Sequence, residues 1–157
     1  MKKKKTIAMV AHDNRKKDIV EWAEYNCKKL IEHNIVCTGT TGSLIETALK
    51  NKFEGSRAED NLNVIKLKSG TLGGDQQMGA LIAEGKIDYV IFLWDPMEPQ
   101  PHDVDVKALL RIAAVYNIPM ATNRSTADFI ISSPLFDTDY KPITKSFSEY
   151  LNRVVDL

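Results

Sequence analysis

The chain has 157 residues, 43% of them hydrophobic and 27% charged, a size and balance that give one globular domain and exclude a disordered chain. Basic and acidic residues number 21 each, but four of the basic ones are Lys2, Lys3, Lys4 and Lys5. The body behind that lysine-rich tail (residues 1–5) is mildly acidic, which argues against a dedicated nucleic-acid partner.

The apolar stretch that follows the lysines is too short for a signal-peptide core, and no run approaches the ~18 residues of a membrane span. No membrane partner is expected, and the cytoplasm is the expected compartment. Residues 6–11, 35–38, 62–67, 89–93 and 119–122 are short apolar or β-branched runs, predicted as five strands covered on both faces. Ile19, Trp22, Ala23, Cys27, Leu30 and Ile31 recur at helical spacing between the first two. A shorter helix is predicted at residues 43–49, and residues 51–61 read as an exposed loop. Met78, Leu81 and Ile82 mark another helix, ended by Gly85, and Val106, Leu109, Leu110 and Ala113 the next. Ser125 and Asp128 have capping-box spacing, and residues 147–157 are predicted as a final docked helix. His33 lies in a polar turn and reads as solvated. Strands alternating with helices mean right-handed βαβ units. The predicted fold class is therefore α/β: one domain over residues 1–157, three layers α/β/α, with a five-stranded mainly parallel sheet of Rossmann type.

In such a sheet, ligands collect beyond the carboxyl ends of the strands. The polar clusters fall there. His12 and Asp13 follow strand one, Thr38-Gly39-Thr40-Thr41-Gly42 strand two, and Ser69-Gly70 with Gly73-Gly74-Asp75 strand three. Trp94-Asp95-Pro96 follows strand four, and His102, Asp103 and Asp105 close the same loop. The threonine-glycine turn suits a phosphate, with backbone N–H groups, hydroxyls and Lys16 in reach; it reads equally as an N-cap with solvated threonines. Gly73 and Gly74 leave backbone room for a ligand beside Asp75, which is either a first-turn helix charge or a general base. No G-K-[ST] follows the threonine turn and no G-x-G-x-x-G follows strand one, which speaks against nucleotide cofactors. No histidine has a metal-ligand spacing to an acid or to Cys27 or Cys37. Neither a cofactor nor a metal is expected, and both cysteines read as reduced packing residues.

Taken in order, His12-Asp13, Thr38-Gly39-Thr40-Thr41-Gly42, Ser69-Gly70, Gly73-Gly74-Asp75-Gln76-Gln77, Trp94-Asp95-Pro96 and Pro101-His102-Asp103-x-Asp105 resemble methylglyoxal synthase. The likeness runs over residues 6–131. It implies the methylglyoxal synthase-like fold and a homohexameric cytoplasmic lyase without metal or cofactor. The implied reaction turns dihydroxyacetone phosphate into methylglyoxal and inorganic phosphate. By the resemblance Asp75 is the catalytic base, joined in catalysis by His102 and Asp105. His12, Lys16, Thr38, Gly39, Thr40, Thr41, Ser69, Gly70 and His102 contact the substrate and its phosphate, and Asp13 and Asp95 support them. The family's C-terminal arginine aligns only loosely with Arg153. Because one cradle would hold both substrate and product phosphate, inorganic phosphate is expected to inhibit. Two alternatives share the cradle. A phosphate-binding regulatory module of the same fold has no need of the Asp75 and His102 motifs, and a triose-phosphate isomerase differs only in product.

Overall fold

The computed structural model describes residues 4–98 and 103–155. Its sheet has five strands: β1 (Thr6–Ala11), β2 (Asn34–Thr38), β3 (Asn63–Leu67), β4 (Tyr89–Leu93) and β5 (Met120–Ala121). They lie in the order β3-β2-β1-β4-β5 with every pairing parallel. The order reverses between β1 and β4, so the chain leaves their carboxyl ends in opposite directions and opens a crevice there.

Side-chain alternation along β1 sets the layers. Ile7, Met9 and Ala11 face a core with Ile19, Trp22, Ile45, Leu49 and Ala127. These come from α1 (Lys16–Tyr25), α3 (Gly39–Lys52) and α6 (Arg124–Ser132). Ala8 and Val10 face the other way, against Met78, Ile82, Val106 and Leu109 of α4 (Gly74–Ala83) and α5 (Asp103–Val115). The three-layer α/β/α expectation holds.

Several local expectations do not. The first predicted helix breaks at Asn26, whose side chain donates to the Trp22 carbonyl at 2.9 Å, and resumes as the short α2 (Cys27–Leu30). α3 begins directly at Gly39, so the threonine-glycine segment is a helix's first turn rather than a loop before one. It also runs on to Lys52, and a 3-10 turn at Arg57–Asn61 shortens the predicted exposed loop from both ends. β3 is an edge strand with Ile65 47% exposed, so it is not covered on both faces. α6 is capped by Asn123, whose Oδ1 accepts from the Thr126 N–H at 2.8 Å; Asp128 instead accepts from the Trp22 indole at 2.9 Å. The predicted final helix is only α7 (Ser148–Leu151), exposed at every position.

Two expectations at the amino end change together. His33 is buried, with its Nδ1 accepting from the Lys5 N–H at 3.1 Å, and is not solvated. Lys5 is buried as well, its ammonium donating to the Thr138 carbonyl, so it belongs to the body and not to a tail. Desolvation is the main cause that lowers the His33 pKa, which keeps the ring neutral as that contact requires.

Candidate active site

The ends of β1, β2 and β3 supply most of one cleft of about 190 Å³, closed on the remaining side by Phe92 of β4 and by Glu98. His12, Asp13, Lys16, Thr38, Gly39, Thr40, Thr41, Ser69, Gly70 and Asp75 all line it. The structure thus brings together ten of the residues singled out from sequence. His102 lies outside the described residues.

Two backbone crossings join the segments that line the cleft from β2 and β3. The Gly39 N–H donates to the Lys68 carbonyl at 3.1 Å, which joins the start of α3 to the end of β3. The chain then turns through a 3-10 helix at Gly70–Leu72 and enters α4, with the Gly74 N–H donating to the Ser69 carbonyl at 2.9 Å. A β-carbon on Gly74 would stand 1.9 Å from the Lys68 carbonyl oxygen. The room this glycine leaves is therefore filled by the chain itself, not by a ligand as its neighbourhood in sequence suggested.

Asp75 is the second residue of α4 and reaches back over the preceding turn. A β-carbon on Gly70 would meet both of its carboxylate oxygens at 3.1 Å. Gly70 carries none, so the carboxylate lies on the backbone at the floor of the cleft. The same cleft is lined by the amino end of α3, where first-turn N–H groups have no partner within the helix and the helix dipole is positive. The two threonines there differ. Thr40 is exposed on the cleft, whereas Thr41 is buried with its hydroxyl donating to the Ala11 carbonyl at 3.5 Å. Thr38 is also buried and serves as the residue before the helix. Among the described lining residues Lys16 is the cation; its ammonium pairs with Asp13 and donates to the Ala11 carbonyl at 3.4 Å.

His12 leans edge-on against Phe92, with ring centroids 5.4 Å apart. Its Nδ1 accepts from the Asp95 N–H at 3.1 Å. The Asp95 side chain turns away and is 7% exposed, accepting from the Asn14 amide at 3.0 Å and the Met97 N–H at 2.9 Å. The Asn14 hydrogen bond, then that of Met97, holds its carboxyl below the ordinary carboxylate range. The backbone N–H of Asp95 is thus its contact with a cleft-lining residue.

Asp105 sits on α5, where it accepts from the Gln76 amide at 3.3 Å, and it is not among the cleft-lining residues. Its contact is thus with the residue next to Asp75 in α4. Thr71, Phe92 and Glu98 line the cleft without having been singled out, and neither was Asn14. A Phe inside a strand and a Glu in a loop carry no spacing signal. Asn14 had one indirect cue, its place two residues after His12. Among the described residues no group of three His, Cys, Asp or Glu side chains is placed to hold a metal ion.

A family model described as MGS-like domain matches residues 18–122, which span the threonine turn and Asp75. A methylglyoxal synthase of Maridesulfovibrio salexigens is 54% identical over 156 residues, covering 98% of this chain and 99% of that one. One from Coxiella burnetii is 49% identical over 151 residues, covering 96% and 98%. The crystal structure of methylglyoxal synthase from Elizabethkingia anophelis superposes with a TM-score of 0.87 at 47% identity, over 99% of this chain and 95% of that one. Identity near one half sustained along almost the whole of both chains, on the same fold, makes this chain a member of the methylglyoxal synthase family.

Proposed function

We propose that this chain converts dihydroxyacetone phosphate into methylglyoxal and inorganic phosphate. The observation that carries the reading is the Asp75 carboxylate, held over Gly70 in a cleft that is also lined by the amino end of α3, with Thr40, and by Lys16 of α1. A carboxylate facing an anion cradle is what proton abstraction next to a carbonyl requires, once the phosphate end of the substrate is fixed.

Asp75 takes a proton from the hydroxymethyl carbon beside the ketone, and the C–H electron pair becomes the double bond of an enediolate. His102 and His12 are the proposed donors to substrate oxygens; one such donor to a developing oxyanion is typically worth about 10²–10³ in rate. The enediol hydroxyl then loses its proton to become the aldehyde, the double bond shifts toward the phosphate-bearing carbon, and the C–O bond breaks with its electron pair leaving on phosphate. The product is an enol, which tautomerises to methylglyoxal. No oxidant and no water enters the balance.

Elimination needs the bridging C–O bond roughly perpendicular to the enediolate plane, so the cradle's grip on the phosphate decides between elimination and simple isomerisation. The same cradle would hold product phosphate, which is the basis for reading inorganic phosphate as an inhibitor. A homohexamer and a cytoplasmic location complete the proposal by family resemblance. Among the described residues no helix is long and apolar enough to cross a membrane, which is compatible with that location. The test is incubation of purified protein with dihydroxyacetone phosphate. Methylglyoxal with one equivalent of phosphate is expected; glyceraldehyde 3-phosphate as sole product would favour an isomerase.

A further inference from the structure

His12 is tied to the loop after β4 by a closed circuit of hydrogen bonds. Its own N–H donates to the Leu93 carbonyl at 3.2 Å, and its ring Nδ1 accepts from the Asp95 N–H at 3.1 Å. A ring nitrogen that accepts carries no proton, so neutral His12 bears its hydrogen on Nε2. The opposite tautomer would set N–H against N–H. The Asp95 N–H can aim at the ring only while the Asp95 backbone keeps its orientation. That orientation is fixed from the side chain, by Met97 on one carboxylate oxygen and by Asn14 on the other. Asn14 comes from the 3-10 turn at Asp13–Arg15, immediately after His12 in the chain. The turn that follows β1 thereby holds the loop that holds the histidine.

We propose that Asn14 is a positioning residue: by clamping the Asp95 side chain it keeps the Asp95 N–H on His12 Nδ1, and so presents His12 as a neutral Nε2–H donor edge-on to Phe92. The consequence for turnover rests on the lyase reading above; the tautomer itself does not. A neutral donor of fixed direction suits a phosphate or carbonyl oxygen. An imidazolium would have to break the Asp95 contact in order to form. Asn14 is exposed, so its replacement removes the clamp without opening the core.

The chain has three histidines, which makes the imidazole ¹⁵N spectrum simple. It is recorded without substrate at pH 7.5 for the wild type, Asn14→Ala and Asn14→Asp, with His12→Gln to assign the signal. The wild-type His12 ring should carry its proton on Nε2. In both variants its shifts should move toward the average of the two tautomers. His33, whose Nδ1 accepts from Lys5 and not from this circuit, should not move in either variant. With dihydroxyacetone phosphate, Asn14→Ala should lose about tenfold in kcat/KM, the scale of one misdirected substrate hydrogen bond, with the fold retained and at most a few degrees lost from the melting temperature. A wild-type His12 protonated on Nδ1, or an unaltered His12 pattern in both variants, would overturn the clamp. Expected ring shifts together with no methylglyoxal from the wild type would leave the clamp standing and count against the lyase reading.

Discussion

The Asp75 carboxylate lies against Gly70, close to where any other residue would begin its side chain: a β-carbon there would stand 3.3 Å from Cγ and 3.1 Å from either oxygen. A side chain at this position would push the carboxylate by a few tenths of an ångström. The glycine's backbone is not left-handed, so the constraint is one of space and not of dihedral strain.

Gly70→Ala should therefore displace Asp75 while leaving the fold intact. Turnover is expected to fall by about tenfold, since the carboxylate must give by a few tenths of an ångström, less than the misplacement on the order of 1 Å that costs about 10²-fold. The melting temperature should stay near that of the wild type, because Asp75 sits at a solvent-open cleft. Steady-state kinetics paired with thermal unfolding checks both halves. Equal activity in the alanine variant would mean that the carboxylate position seen here is not the working one.

The two threonines at the start of α3 should separate by substitution. Thr40→Ala removes a hydroxyl on the cleft, and should raise KM and weaken inhibition by phosphate by the same factor, about three- to tenfold. Thr41→Ala removes a buried hydroxyl that donates to the Ala11 carbonyl. It should destabilise the protein by about 1–2 kcal/mol, which melting would register. Initial rates at several phosphate concentrations decide the first point. A raised KM with unchanged inhibition would put the inhibitory phosphate at a different site.

His33 gives a dependence of stability on pH. Burial lowers its pKa in the folded state, so between that lowered value and the ordinary 6.5 the unfolded chain binds the proton first. The contribution of neutral His33 is complete above about pH 6.5, is lost as pH falls through that window, and stays lost below it. His33→Gln, whose amide oxygen can still accept from the Lys5 N–H, should flatten this part of the profile. Urea unfolding at pH 5 and pH 7.5 for both proteins measures the difference. Parallel profiles would show that His33 does not titrate with folding.

Much of this architecture is legible locally. Apolar runs of strand length separated by helical stripes give the sheet and its layers, and the polar clusters at strand ends give nine of the cleft residues, with Lys16 the tenth. What escapes is tertiary. Gly39 and Gly42 have poor helix propensity, so the first turn of α3 reads as a loop until packing on β3 stabilises it. The polar neighbours of His33 suggest solvent, yet Lys5, 28 positions away, buries it. Asp128 has capping-box spacing to Ser125 but serves Trp22 across 106 positions. The Asn14–Asp95 contact spans 81 positions, and no periodicity or motif encodes it.

The most direct test of the central claim, that Asp75 is the base of a phosphate-eliminating lyase, is a ³¹P NMR time course of dihydroxyacetone phosphate with wild type and Asp75→Asn. The wild type should convert the substrate signal to inorganic phosphate, with methylglyoxal appearing one for one. Asp75→Asn should slow this at least about 10²-fold, roughly 2.7 kcal/mol of barrier, while the substrate signal still broadens on binding because the cradle is untouched. Phosphate release at the wild-type rate by Asp75→Asn, or a wild type that yields only glyceraldehyde 3-phosphate, would contradict the account.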